Sequence, residues 1–234
     1  MRTILLMTIS ICFLSCKETK TEESAAPIVA ESASCSPFSA AQLKNFNWVN
    51  DPKVFSIASE GLLVEAEEGT DYFNNPEDGS VTGTAPLLYQ NLSGDFIATA
   101  VVKPDFNAQW NAVSLMAHID ETNWIKFAFE SSDATGPSVV TVVTKGVSDD
   151  ANGVVIENTD TLWLSLVKKD SIYAMHWSAN GKDFKMARLT TMPATDSLKV
   201  GVEFQSPVGE KALHLLKCYQ VEFKTVENLR HINQ

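Results

Sequence analysis

Positive charge is scarce in this sequence, and several well-known catalytic motifs are missing from it. Its 234 residues contain 18 Lys and Arg against 29 Asp and Glu, which gives a formal net charge of −11. This balance disfavours nucleic acid and anionic lipid as partners, because their phosphates would be repelled. A nucleophile elbow, a phosphate loop and a zinc motif are absent, and the four histidines lack metal-ligand spacing. We therefore expect no cofactor and no bound metal.

Hydrophobic runs long enough to cross a bilayer are missing as well. The apolar run Ile4 to Leu14 follows Arg2 and spans about eleven residues, which fits a signal peptide over residues 1–15. The run ends in Phe13-Leu14-Ser15-Cys16, which resembles the lipobox of bacterial lipoproteins. The resemblance implies that Cys16 carries a lipid and that this lipid attaches the chain to a membrane. The alternative is an ordinary cleaved signal with an incidental cysteine.

Residues 16–36 contain many Glu, Lys, Thr, Ser and Ala and few large apolar side chains. Such a segment buries too little apolar area to offset its ordering entropy, so the sequence predicts a flexible tether. Cys16-Lys17-Glu18 resembles the sorting signal of outer-membrane lipoproteins. We expect from it a location in the bacterial cell envelope, at the outer membrane, with exposure at the cell surface as a further expectation.

Two further cysteines, Cys35 and Cys218, lie near the two ends of the remaining chain. In an oxidising compartment they can form a disulfide, because the terminal strands of a sandwich often lie side by side. The alternative is one thiol in the tether and one buried thiol.

Short apolar runs with a period of two dominate the chain from Phe38 onward, and no long stretch has a helical period. This pattern predicts one all-β sandwich domain over residues 37–234. The predicted strands are 61–66, 96–102, 113–119, 124–130, 138–144, 162–168, 171–177, 198–205 and 213–225.

Several of these runs, in this order, resemble the concanavalin A-like domain family named for regulation of enolase, whose function is undefined. Matching segments include Gly69-Thr70-Asp71-Tyr72-Phe73, Ala85-Pro86-Leu87-Leu88-Tyr89, Asn123 to Glu130 and Trp177-Ser178-Ala179-Asn180-Gly181. The resemblance implies a jelly-roll sandwich of two antiparallel sheets, one of them concave. Many domains of this fold bind glycans and some hydrolyse them, which is an analogy of fold alone.

Alternation along the strand 124–130 predicts two faces with different roles. Ile125, Phe127 and Phe129 are expected in the core, whereas Trp124, Lys126 and Glu130 are expected on the concave face. His118, His176 and Glu203 are their expected neighbours there, and Trp110 is the best candidate for an exposed aromatic side chain. The predicted ligand-binding residues are Trp110, His118, Trp124, Lys126, Glu130 and Glu203.

Three functions are consistent with this face. The leading hypothesis is a membrane-anchored, non-catalytic protein that binds a glycan or a related ligand on the concave face. A second hypothesis is a glycan-processing enzyme that uses Glu130. A third is a structural envelope protein, in which Lys126 and Glu130 form only a cross-strand charge pair on a solvated face.

Overall fold

A computed structural model describes residues 35–232, which belong to one compact unit spanning Ser32–Gln234. The predicted signal peptide, Cys16 and nearly all of the predicted tether lie outside the described residues. Within residues 35–232 no helix is long and apolar enough to cross a membrane. The structure joins Cys35 to Cys218 by a disulfide, with the two Cα atoms 6.0 Å apart.

Two seven-stranded antiparallel sheets form a sandwich, with strands numbered in chain order. In spatial order, the first sheet contains β1 (Asn47–Val49), β6 (Leu87–Leu92), β15 (Leu198–Gln205), β8 (Ala112–Asp120), β9 (Asn123–Ser132), β10 (Gly136–Lys145) and β11 (Val147–Val155). The second contains β14 (Lys185–Thr191), β13 (Ile172–Ser178), β12 (Leu162–Lys169), β7 (Phe96–Lys103), β16 (Ala212–Glu222), β3 (Gly61–Ala66) and β2 (Phe55–Ala58). The predicted fold class, an all-β sandwich of two antiparallel sheets, is confirmed.

Two small elements complete the described chain. The short helix α1 (Ala40–Leu43) begins at a capping box, in which the Ser39 hydroxyl accepts from the Gln42 amide and the Gln42 side chain accepts from the Ser39 amide. The hairpin of β4 (Tyr72–Asn74) and β5 (Val81–Gly83) belongs to neither large sheet. We call this segment the β4–β5 hairpin.

The main core lies between the two sheets and is formed by alternate residues of each central strand. Phe127 and Phe129 of β9, Phe204 of β15 and Phe96 of β7 are among its largest fully buried side chains. Burying each such side chain contributes about 1.5–3 kcal/mol to folding. Because side chains alternate along a strand, this core turns the intervening residues of the first sheet toward its outer face.

Candidate functional site

The outer face of the first sheet is the candidate functional site, and it carries five of the six predicted binding residues. His118, Trp124, Lys126, Glu130 and Glu203 alternate with core residues on β8, β9 and β15. The registers agree, since His118 lies opposite Trp124 and Glu203 lies opposite Ser114. Their role in binding a ligand stays a prediction.

His176 is not a neighbour of this face, contrary to expectation. It lies on β13 in the second sheet, where its Nε2 is 2.9 Å from the Leu229 carbonyl oxygen. The alternating hydrophobic pattern correctly predicts that β13 is a strand, but it does not indicate to which of the two sheets the strand belongs.

Trp110 lies at the rim of the outer face, just before β8, and is 37% exposed. Its φ of 61° is in the left-handed region, which costs a bulky residue free energy and persists only when the surroundings hold it. Both backbone groups are held: its N–H donates to Ser131 O at 2.7 Å, and its carbonyl accepts from Gln205 Nε2 at 2.7 Å. The structure therefore fixes the backbone from which this exposed indole projects.

A buried group of polar side chains, which we call the lysine cluster, lies at the centre of the face. It consists of Asp71, Lys126, Glu130, Glu203 and Gln205. The Lys126 ammonium donates to Asp71 Oδ1 and to Gln205 Oε1, each at 2.8 Å. Burial alone would lower the pKa of Lys126, but the carboxylates of Asp71, Glu203 and Glu130 outweigh it and raise that pKa. The lysine is charged and held by the protein itself.

The two glutamates of the lysine cluster are strongly desolvated. Burial raises the pKa of Glu203 to about 7 and that of Glu130 to about 8, and the charge of Lys126 opposes both shifts. Glu203 is fully buried, its carboxylate oxygens form no well-aligned hydrogen bond with any of residues 35–232, and the Ser114 hydroxyl offsets only a small part of the effect of burial on its pKa. A buried polar atom without a partner costs about 1–3 kcal/mol, so this arrangement lowers stability.

His214 connects the rim of the face to the lysine cluster. The Asp105 amide donates to its Nδ1 at 3.1 Å, so Nε2 carries the proton and donates to Gln205 O at 3.0 Å. Burial lowers the pKa of His214 to about 4, which keeps the ring neutral in this bridging role. The ring thus ties the loop that carries Trp110 to strand β15.

The β4–β5 hairpin packs onto the outer face. Tyr72 makes edge-to-face contacts with Trp124 and His118, at ring-centroid distances of 6.0 and 5.9 Å. Asn74 donates through Nδ2 to the Gly146 carbonyl at 3.0 Å and to the Glu121 carbonyl at 3.3 Å. At the other end of the hairpin, Asn50 Nδ2 donates to the carbonyls of Gly83 and Ala85.

Beside the hairpin lies a cavity of about 800 Å³, which we call the hairpin cavity. The aromatic or apolar part of its lining comes from Val49, Tyr72, Val81, Ile119 and Trp124. The polar part comes from Asn50, Asn74, Thr82, Gly83, His118, Asp120, Glu121, Thr122 and Lys199. Two of the predicted binding residues, His118 and Trp124, therefore line it, whereas Trp110, Lys126, Glu130 and Glu203 do not.

The sequence analysis missed the hairpin side of this site, including Asp71, Tyr72 and Lys199. Asp71 and Tyr72 occur in a segment used for the family resemblance, but nothing local indicates that it folds over the sheet. Alternation along β15 could have identified Lys199, which shares the face of Glu203. Within residues 35–232, no three His, Cys, Asp or Glu side chains are placed to hold a metal ion.

Among curated proteins, the chain is similar to "Regulation of enolase protein 1" of Saccharomyces cerevisiae. The two are 26% identical over 161 residues, which cover 68% of this chain and 80% of the yeast protein. A solved structure of a functionally unknown protein from the same yeast has a TM-score of 0.74 and 22% identity, covering 79% of this chain and 99% of that one. These yeast relatives contradict the predicted bacterial outer-membrane location, which was wrong. That prediction depended on a short amino-terminal pattern outside the described residues.

Other solved structures are similar in fold alone. The GH43 protein BlXynB from Bacillus licheniformis has a TM-score of 0.61 and 13% identity, with 76% of this chain and 36% of that chain covered. The carbohydrate binding module CBM66 from Bacillus subtilis has a TM-score of 0.50 and 9% identity, with 76% and 96% covered. Both likenesses agree with the predicted jelly-roll class.

The family resemblance stated from the sequence is confirmed by a match over most of the sandwich. The family described as "Protein of unknown function (DUF1349)" matches residues 48–228, from β1 to beyond the end of β16. The matched range includes the outer face, the β4–β5 hairpin and the hairpin cavity. The chain belongs to this family, DUF1349.

Proposed function

We propose that this protein binds a glycan in the hairpin cavity. The observation that carries the proposal is the cavity itself, about 800 Å³ in volume, on the outer face of the first sheet. This volume lies within the range of small-molecule sites, which is about 300–1,000 Å³. A cavity of this size takes one or a few sugar rings.

The lining of the hairpin cavity combines two kinds of groups that suit sugars. Tyr72 and Trp124 line the cavity and are themselves almost fully buried, so they form an apolar wall against which the C–H groups of a sugar can pack. Thr82 and Lys199 supply groups that can hydrogen-bond to hydroxyls. This alternation of apolar and polar groups favours a ligand with both properties over a purely apolar one.

The lysine cluster is a less suitable place for the ligand, because its polar groups are already bonded to one another or buried. The Lys126 ammonium already donates to Asp71 and Gln205, and Glu203 is fully buried. A ligand would have to break these contacts to enter. Binding at the hairpin cavity requires no such rearrangement, so we place the ligand there rather than over Lys126.

The similar structures provide separate support. The carbohydrate binding module CBM66 has the same fold and, as its name says, binds carbohydrate. A likeness at 9% identity supports the choice of ligand class and says nothing about which sugar is bound.

The experiment is a binding screen of the full chain against a broad glycan array, followed by calorimetric titration of each hit. Thr82 lines the cavity on strand β5, so Thr82→Trp should fill the cavity and abolish binding. Thr190→Trp is the matched control, because Thr190 is also a half-buried threonine on a strand but lies on β14 of the second sheet. Absence of binding to every glycan refutes the proposal, and so does a hit that Thr82→Trp leaves unchanged.

A glycan-processing activity at Glu130 is the second candidate function. Its support is the burial of Glu130, which raises the pKa to about 8 and so keeps a carboxylic acid protonated at neutral pH, as a general acid requires. Glu130→Gln should then abolish product release from a polysaccharide panel while glycan binding is retained. Product release by the Gln variant at the wild-type rate would contradict this second candidate.

A further inference from the structure

We propose that the ligand of the hairpin cavity is an acidic glycan, whose carboxylate is held by Lys199 and His118. This inference rests on the proposed function and adds the chemical class of the ligand. The observation that carries it is a half-buried lysine that lines the cavity without an acidic partner.

Lys199 is an unpaired cation in a protein with an excess of acidic residues. Its ammonium lies 5.7 Å from the centroid of the Tyr89 ring, and it makes no ion pair and no hydrogen bond with any of residues 35–232. The net charge of −11 means that carboxylates are abundant, yet none of those among residues 35–232 forms an ion pair with Lys199. A cation left free in a cavity is a natural partner for an anionic ligand group.

His118 lies directly beside Lys199, because the two are register partners in neighbouring strands. The imidazole is mostly buried against Tyr72, and its Nδ1 has no partner among residues 35–232. Burial and the charge of Lys199 both lower the pKa of His118, so the ring is neutral and carries one N–H, which can meet a ligand at Nε2 because Nδ1 is enclosed. A lysine and an imidazole N–H together suit one carboxylate.

Two acidic residues line the same cavity, and neither competes strongly for Lys199. The Asp120 carboxylate already accepts from the Thr122 amide, the Thr122 hydroxyl and the Asn123 side chain within its own turn. Glu121 is exposed to solvent at that turn. Their charge would nonetheless repel a dense polyanion, so the ligand that fits is a mostly neutral glycan with an isolated uronic acid.

The test compares uronic-acid oligosaccharides with their methyl esters, which keep the sugar rings and remove the charge. The probes are otherwise neutral oligosaccharides that carry a single glucuronic or galacturonic acid, titrated calorimetrically into the full chain. We expect the acid of the bound sugar to bind about tenfold more tightly than its ester, with the difference shrinking at high salt.

Two lysine variants locate the effect. Lys199→Met should remove the preference for the acid, so that the acid and its ester bind this variant with equal affinity. Lys185→Met is the matched control, because the Lys185 ammonium also lies over an aromatic ring, 5.0 Å from the Trp177 centroid, but on the second sheet. Lys185→Met should keep the full preference.

The outcomes separate this inference from the proposed function. Equal affinity for acid and ester, or a preference that survives Lys199→Met, refutes the acidic ligand while glycan binding stands. Failure of every glycan on the array to bind refutes both.

Discussion

Replacing Glu203 by glutamine should make the protein more stable in mildly alkaline buffer and should have little effect in acid. Burial raises the pKa of Glu203 from 4.5 to about 7 in the folded state. The folded protein therefore holds a proton that the unfolded chain has released between these two values. The contribution of this proton to the free energy of unfolding is fully present below about pH 4.5 and is lost as the pH rises through about 7.

The size of the effect follows from the pKa difference. Each unit corresponds to about 1.4 kcal/mol, so the wild type should lose about 3 kcal/mol of this contribution between pH 4.5 and pH 8. That is a large part of the 5–15 kcal/mol that typically separates folded from unfolded states. Glu203→Gln has nearly the same shape and does not titrate, so it should escape the loss.

The assay is urea unfolding followed by tryptophan fluorescence at pH 5 and pH 8, for the wild type and Glu203→Gln. We expect the variant to gain about 2.5 kcal/mol relative to the wild type on going from the lower to the higher pH. Glu68→Gln, at an exposed position, is the control and should show no such gain. If Glu203→Gln follows the same pH dependence as the wild type, the carboxyl group is not desolvated as described and the reasoning is refuted.

Three further perturbations test other parts of the account. Burial lowers the pKa of His214 from 6.5 to about 4, so the stability contributed by the neutral ring is lost as the pH falls through that window. His214→Asn does not titrate there, so in urea unfolding its free energy of unfolding should fall by about 3 kcal/mol less than that of the wild type. Gly201→Ala should destabilise the protein by about 1–3 kcal/mol in the same assay, because an added Cβ would lie 1.8 Å from the Leu88 carbonyl oxygen; an unchanged midpoint would contradict this close approach. Asp71→Asn should cost about 2 kcal/mol by removing a carboxylate from the buried Lys126, and adding Lys126→Met should restore part of the loss; additive losses would refute the pairing.

Buried strands could be predicted from the sequence, and exposed or very short strands could not. Strands β3 and β15 have the predicted limits because their apolar residues alternate or run continuously between clear turn residues. Strand β11 escaped prediction, since its central residues are polar and mostly exposed, and it is a strand because it pairs along β10 at the sheet edge. The three-residue strands of the β4–β5 hairpin are too short for any periodic pattern.

The sequence could predict which side chains of one strand share a face, but it could not predict which distant segments contact that face. Alternation along β9 correctly placed Lys126 and Glu130 on one face, because that pattern is local. The ion pair of Lys126 with Asp71 joins residues 55 positions apart, and only the path of the hairpin over the sheet brings them together. The hairpin cavity depends on that same path, so no spacing in the sequence indicates it.

The most direct test of glycan binding in the hairpin cavity is the calorimetric affinity of one array hit for the wild type, Thr82→Trp and Thr190→Trp. We predict that Thr82→Trp loses measurable binding, because the new indole occupies the cavity, and that Thr190→Trp binds like the wild type. Circular dichroism at matched concentration would show that both variants keep the β-sandwich. Wild-type affinity in Thr82→Trp would contradict the account, because the glycan would then bind outside the hairpin cavity.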